Sequence, residues 1–443
     1  MDNTCCDVLF PAVGGREVVA RFDGGDITSD AGLLLLGLAD TRLGLAEAMS
    51  GCIRDTRQRG KVRHSIEEIV RERVLAIAMG YEDANDLDML GSEPALKSAC
   101  GKLPSSVANL ASQPTISRVE NMPSEKELMR AGVAMARKVI SQLPRKTGRV
   151  IIDVDPTDDP CHGQQEFEFF NGHYDTHCYL PMHVHITGDD RVQRIVGSVL
   201  RPGNSSATRG IAGILRIVVR LVQERLPRAR IILRADSAFG VCDVLNLCDD
   251  LGIDYVLGLS ANNVLHRLST AVQMDACLKY RLEGNGCREY GEFVYKARTW
   301  RCERRVVVKA ELTQCELNPR FVVSSLKVSP QENYEFYCAR GNQENRIKEI
   351  KLDLSSGRTS CHRFLANQFR LLLHTAACVL MGVLQEACSG TQWARAQVGT
   401  LRSRLLKVGA RVVQSCRKVW FHLPSSFPEK KTWRHIRAVL IRE

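Results

Sequence analysis

Apolar residues recur at helical spacing through the first third of the chain. Ser65 and Glu68 form the pattern of a capping box, and Ile66, Ile69, Val70, Val74 and Ile77 follow as one apolar stripe. Upstream, the extended stretch EVVARFDGG (17–25) leads into ITSDAGLLLLGLAD, where Ser29 or Asp30 is placed to cap a helix. Further on, LASQPTISRVEN (110–121) sets Pro114 near a helix start, followed by Thr115, Ser117 and Arg118. Small polar residues and an arginine at the start of a short helix suit a groove-reading helix. Locally, the same segment also reads as a plain surface helix. Residues 1–145 are therefore expected to be mostly helical.

The pattern changes at about residue 149. RVIIDVD (149–155), YLPMHVHITG (179–188) and VQRIVGSVL (192–200) read as three strands, the last two joined by a turn at Asp189 and Asp190. A helix is expected from Ala207 to about Arg225, then the strand RIILRAD (230–236), a second helix and the strand IDYVLGLS (253–260). Three strands on tight connections, then alternating helices and strands, is the order of a ribonuclease-H-like α/β domain. From 263 to 327 that order breaks. The Gly-rich GNGC (284–287) and the alternating EFVYKARTW and RRVVVKAEL predict an antiparallel β insertion. Helix resumes near Tyr334 and runs in pieces to about Cys388.

The 443 residues exceed one typical domain, and 44% apolar content supports a large core. Charge changes the picture at the C-terminus. The formal net charge is +11, and from 391 to 443 twelve Lys and Arg face only Glu429 and Glu443. A basic segment of that density attracts a polyanion, and DNA is the commonest. Seventeen cysteines, an odd number in a long chain that starts MDNTCCDVLF without a signal-peptide pattern, fit reduced thiols and a cytoplasmic protein. The apolar stretch 371–385 contains His374 and is shorter than the ~20 residues a membrane span needs, so no membrane is expected.

Carboxylates mark the candidate chemistry. In IIDVDPTDDP, Asp153 and Asp155 are two apart and project from one strand face. Carboxylates on so apolar a strand are costly unless paired or metal-bound. Pro156 leaves Asp155 at the C-terminal edge, where α/β sheets place ligands. The strand RIILRAD ends on Asp236 in the same way, although Asp236 also suits a helix cap. In FYCARGNQENRIKEIK, Arg340, Glu344 and Lys351 fall at about 300°, 340° and 320° from Tyr337 at about 100° per residue. Such a stripe is a solvated face held by an Arg340–Glu344 pair, or a surface for a metal-bound phosphodiester. Glu349 falls outside it and is taken as structural. Cys161, His162, His173, His177, Cys178, His183 and His185 lie close in sequence but lack zinc-ligand spacing, so zinc is not expected. No Walker loop is present.

Tyr337, Arg340, Glu344 and Lys351 resemble, interval by interval, the YREK signature of one group of DDE transposases. FDGGDITSDAGLLLL, DVDPTDDPCHGQQ, LRPGN, RADSAFG, RGNQENRIKEIK and TLRSRLLKVGAR, in that order, resemble the thirteen-eighty family of bacterial insertion-sequence transposases over nearly the whole chain. The resemblance implies that Asp155, Asp236 and Glu344 are the catalytic carboxylates, with Asp153 the rival or companion of Asp155 as a metal ligand. Tyr337, Arg340 and Lys351 match positions that contact transposon-end phosphates. It also implies two Mg²⁺ ions, replaceable by Mn²⁺, and as partners terminal inverted repeats, target DNA and a second copy of the chain.

The expected organisation is a helical DNA-binding region at 1–145, in which Arg118 is a candidate contact, and a ribonuclease-H-like core at 146–262 and 328–390. A β insertion falls at 263–327 and a basic helical region, for DNA binding or dimerisation, at 391–443. The expected activity is metal-dependent cleavage and strand transfer on nucleoid DNA. The alternative is a catalytically inactive, transposase-derived DNA-binding protein or repressor.

Overall fold

The most apolar strands lie at the centre of one eight-stranded sheet. In chain order these are β1 (Arg149–Pro156), β2 (Met182–Thr187), β3 (Gln193–Val199), β4 (Arg230–Ala235), β5 (Asp254–Leu259), β6 (Cys287–Tyr295), β7 (Arg304–Leu312) and β8 (Arg320–Ser324). The computed structural model describes residues 8–283, 287–312 and 317–442. The strand order is β6-β7-β8-β5-β4-β1-β2-β3. β4 runs parallel to both β1 and β5, and β2 and β3 pair antiparallel beyond β1. Val150, Ile152 and Val154 on one face of β1 and Ile151 and Asp153 on the other are all buried, as in a strand covered on both faces.

Helices pack on this sheet. The helix α1 (Glu125–Ser141) starts at a Ser124–Glu127 capping box and buries Leu128, Ala131, Met135 and Val139. It packs against β3 and against α2 (Ile211–Arg225). The helix α3 (Cys242–Leu251) packs on β5. These elements belong to a unit made of Ala48–Arg54 and Glu120–Val379.

A second unit comprises Met1–Glu47, Asp55–Val119 and Leu380–Glu443, so both chain ends contribute to it. Its helix Ile66–Met79 carries the expected capping box, and the strand Ile27–Thr28 pairs with Ala410–Gln414.

Two expectations need correction. Residues 263–327 begin as two helices, Asn263–Leu268 and Thr270–Glu283; the second turns one face inward, with Ala276 buried and Val272, Gln273, Cys277 and Tyr280 half-buried at helical spacing. The strands that follow are antiparallel, as expected: β8 pairs with β5, and β7 and β6 continue the same sheet. The basic C-terminal region is not wholly helical. Ala410–Gln414 and Val419–His422 form a hairpin, since Ala410 and Val412 alternate buried with exposed neighbours, and only Lys430–Ile441 forms a long helix. Of the expected Gly-rich turn, 284–286 lie outside the described residues, as does the start, 1–7. The helix Phe364–Ala387 is long and apolar enough to cross a membrane by length and composition, and 72% of its apolar window is buried within the protein.

Candidate active site

β1 and β4 bring their acidic ends to the same edge of the sheet. Their register sets Asp153 opposite Arg234, and two residues further along lie Asp155 and Asp236. Neighbouring strands stand about 4.8 Å apart, so adjacent strand ends deliver the two carboxylates to one neighbourhood. Asp236 also caps the turn Ser237–Phe239, accepting the Ala238 N–H at 2.9 Å. Both roles read from the sequence for Asp236 are thus compatible.

Asp153 and Asp155 occupy different environments. Asp153 is wholly buried, and both its oxygens accept from Arg234, from Nε at 2.6 Å and from Nη2 at 2.9 Å. The third Arg234 nitrogen, Nη1, donates to the Phe336 carbonyl at 2.8 Å, and the guanidinium lies 5.0 Å from the Phe336 ring centroid. This buried pair therefore ties β1 and β4 to the helix α4 (Pro330–Cys338), which carries Tyr337. Asp155 has no such fixed partner on the sheet. Burial above all, with the charges of Asp236 and Glu344 adding to it, raises its carboxyl to about 7 against the pull of Arg340.

The third acidic element arrives on broken helix. α4 starts at the Ser329–Glu332 capping box and ends at Cys338. Then α5 (Gly341–Lys348) follows and passes into one π turn, Glu349–Asp353. Arg340 sits at the junction. Its Nη1 lies 3.3 Å from Asp155 Oδ1 and its Nη2 3.1 Å from Glu344 Oε1, so one guanidinium bridges two of the expected catalytic carboxylates. Arg340 also donates to the Tyr337 hydroxyl, which burial and the Asp236 charge hold above its ordinary range. Tyr337 needs the glycine opposite it. A Cβ on Gly258 of β5 would stand 2.7 Å from the Tyr337 hydroxyl and 2.6 Å from the Ser237 nitrogen.

Lys351 lies on the π turn and reaches the segment just after Asp155. Its ammonium donates to the Asp158 carboxylate at 2.8 Å, the Asp158 carbonyl at 2.9 Å and Thr157 Oγ1 at 3.3 Å. Four expected residues thus meet around Asp155, namely Asp236, Tyr337, Arg340 and Glu344, with Lys351 beside them. Arg118 is exposed on the helix Gln113–Glu120 and belongs to the other unit. Glu349 is buried and paired with Arg346 at 2.7 Å.

β2 lies along the other side of β1, with His183 opposite Asp155 and His185 opposite Asp153. Both are buried. Burial lowers His183 to about 4, which keeps it neutral, and its Nδ1 is 2.7 Å from Ser198 Oγ.

Among the described residues, no three His, Cys, Asp or Glu side chains stand together at metal-holding spacing. The three expected ligands, Asp155, Asp236 and Glu344, are nonetheless carboxylates, the donor type a hard divalent cation takes. The Arg340 guanidinium between Asp155 and Glu344 supplies the positive charge that such oxygens require. The residues therefore fit a divalent cation in donor type and charge.

Arg234 and Gly258 escape a reading of the carboxylates alone. For Arg234 a signal exists: Arg-x-Asp on β4 repeats the Asp-x-Asp of β1, a cation and an anion each two residues before a strand-end Asp. The Gly258–Tyr337 approach has no local signal, because it is made by two segments remote in sequence.

The family model described as transposase DDE domain group 1 matches residues 10–443 of this chain. No match is found among curated proteins.

Proposed function

From the premise that this chain belongs to the transposase DDE domain group 1 family, we propose that it is an insertion-sequence transposase of the thirteen-eighty, YREK-signature type. It cuts the ends of its element and joins them to target DNA. The observation that carries this reading is the Arg340 guanidinium reaching both Asp155 and Glu344, with Asp236 at the end of the strand next to that of Asp155. The strand order β3-β2-β1-β4-β5, with β2 antiparallel to β1 and β4 and β5 parallel to it, supports a ribonuclease-H-like core extended by β6–β8.

Asp155, Asp236 and Glu344 are the residues proposed to hold two Mg²⁺ ions, with Mn²⁺ as a substitute. Such ions, when bound, supply an activated water or DNA 3′-hydroxyl and stabilisation of the departing 3′ oxygen. Asp155 is preferred over Asp153 because the oxygens of Asp153 are committed to Arg234. Arg340 and Lys351 bind phosphate oxygens of the element end, and the Tyr337 hydroxyl orients Arg340. Arg118 and the basic C-terminal region add DNA contacts in the other unit. Two copies of the chain act together, because a transposition event joins two ends.

The test is cleavage of a duplex carrying the inverted repeats that flank the gene, in Mg²⁺, by wild type and Glu344→Gln. The expected result is cleavage by wild type and none by the variant, with end binding kept. Wild type that binds the repeats without cutting them favours the inactive DNA-binding alternative, and a variant that still cuts refutes the assignment of Glu344.

A further inference from the structure

Beside Lys351 lies a cleft of about 410 Å³ that none of the roles above uses. One wall is the segment that follows Asp155, represented by Pro160, His162 and Gln165. The other is the loop after the π turn, with Gly357, Arg358 and Ser360. Lys351 stands between the walls, fixed to Thr157 and Asp158 as described.

The loop wall is built rather than merely present. Thr359 Oγ1 donates to the buried Asp159 Oδ2 at 2.7 Å, and Ser360 Oγ accepts from Arg370 Nη1 at 2.8 Å. The Cys361 N–H donates to Asn367 Oδ1 at 2.9 Å, and Asn367 returns a bond to the Cys361 carbonyl at 2.7 Å. Gly357 lies close over Asp159, since a Cβ there would stand 3.1 Å from Oδ1. Asp159 is 2% exposed and lies beneath the loop, so it anchors the wall without lining the cleft.

The lining contains no carboxylate. It contains an ammonium, a guanidinium, an imidazole and the hydroxyls of Ser355 and Ser360, the Thr359 hydroxyl being committed to Asp159. That set recognises phosphate. The first wall begins five residues after Asp155, and Lys351, which lines the cleft, is bonded to Thr157 and Asp158 in the segment between, so the cleft lies along the chain leaving Asp155.

We propose that this cleft holds a backbone phosphate of the DNA strand running out of the active site, with Arg358 and His162 as contacts additional to Lys351. The inference rests on the transposase reading and identifies where the strand goes beyond the carboxylates. Each phosphate neutralised on duplex DNA releases counterions and contributes about 0.9 to the slope of log affinity against log salt. That slope separates a phosphate contact from a structural residue, whose loss changes affinity without changing the slope.

The experiment measures binding of the inverted-repeat duplex by fluorescence anisotropy from about 50 to 200 mM salt. It compares wild type, Arg358→Ala, His162→Ala, the double variant and Arg358→Lys. The expected result for Arg358→Ala is a slope shallower by about one and an affinity lower by roughly three- to tenfold, with Arg358→Lys restoring the slope. A parallel arm measures thermal stabilisation of the same proteins by inorganic phosphate. Wild-type slope in the double variant overturns the inference, and so does phosphate stabilisation that the variants lose while their DNA slope stays intact, since that pattern assigns the cleft to free phosphate. If wild type fails to bind the duplex, the transposase reading falls, and this inference with it.

Discussion

Asp155→Asn is expected to make the metal-free protein more stable while removing its activity. The Asp155 carboxyl rises from an ordinary 3.8 to about 7, through burial first and then the charges of Asp236 and Glu344. The pull of Arg340 is already contained in that net value. A rise of about three pH units at about 1.4 kcal/mol each sets a ceiling near 4 kcal/mol. The side chain keeps 14% exposure, and water reaching it reduces the effect, so about 2 kcal/mol is expected. The sign follows from linkage. Between pH 4 and 7 the folded protein holds a proton at Asp155 that the unfolded chain has released, so stability falls as pH rises and the penalty is complete above about 7. Asparagine carries no such penalty. Urea unfolding in EDTA should therefore show the variant about 2 kcal/mol more stable at pH 8, with the difference nearly gone at pH 4.5. A variant less stable than wild type at pH 8, or a difference that does not change with pH, would refute the claim that Asp155 is held against its ionisation by the folded site.

Two further substitutions test neighbouring contacts. Arg234→Met leaves Asp153 buried without its partner and should cost about 3–5 kcal/mol in urea unfolding, most of it recovered in Arg234→Met/Asp153→Leu; full stability in the single variant would show that the pair carries no structural role. Arg340→Gln removes the cation between Asp155 and Glu344, so the DNA-free protein should take up Mn²⁺ more tightly, as read by electron paramagnetic resonance of free Mn²⁺. Unchanged or weaker uptake would mean that the guanidinium does not stand in for a cation there.

The central strands were legible in the sequence because each combines an apolar run with a charged residue at its end. RVIIDVD and RIILRAD are short, bounded by turn residues, and too apolar to lie anywhere but the centre of a sheet. The stripe of Tyr337, Arg340, Glu344 and Lys351 was legible by its spacing, yet the helix that carries it is broken at Arg340 and ends in a π turn. The interval survives that irregularity because the partners, Asp155 and Asp158, lie along a strand end and accept contacts over several residues. The helices at 263–283 and the C-terminal hairpin were missed for a common reason. Short amphipathic segments fit either period, and what decided between them was the partner surface, β6 and β7 for Thr270–Glu283 and the strand Ile27–Thr28 for the hairpin.

The division of labour within IIDVD follows from charge. Two carboxylates that share one strand face cannot both be left unneutralised in an apolar sheet. Arg234, placed opposite by register, neutralises Asp153 from the neighbouring strand and spends its remaining donor on α4. Asp155, one pleat nearer the edge, is met by Arg340, which it shares with Glu344. The buried pair is fixed by geometry on three sides, while the edge carboxylate is held by a cation with a competing partner. The first can position the third acidic element but cannot release its oxygens without leaving Arg234 buried and unpaired. On the proposed reading the second exchanges its arginine for a metal cation, and the shared, edge position of that arginine is what such an exchange needs.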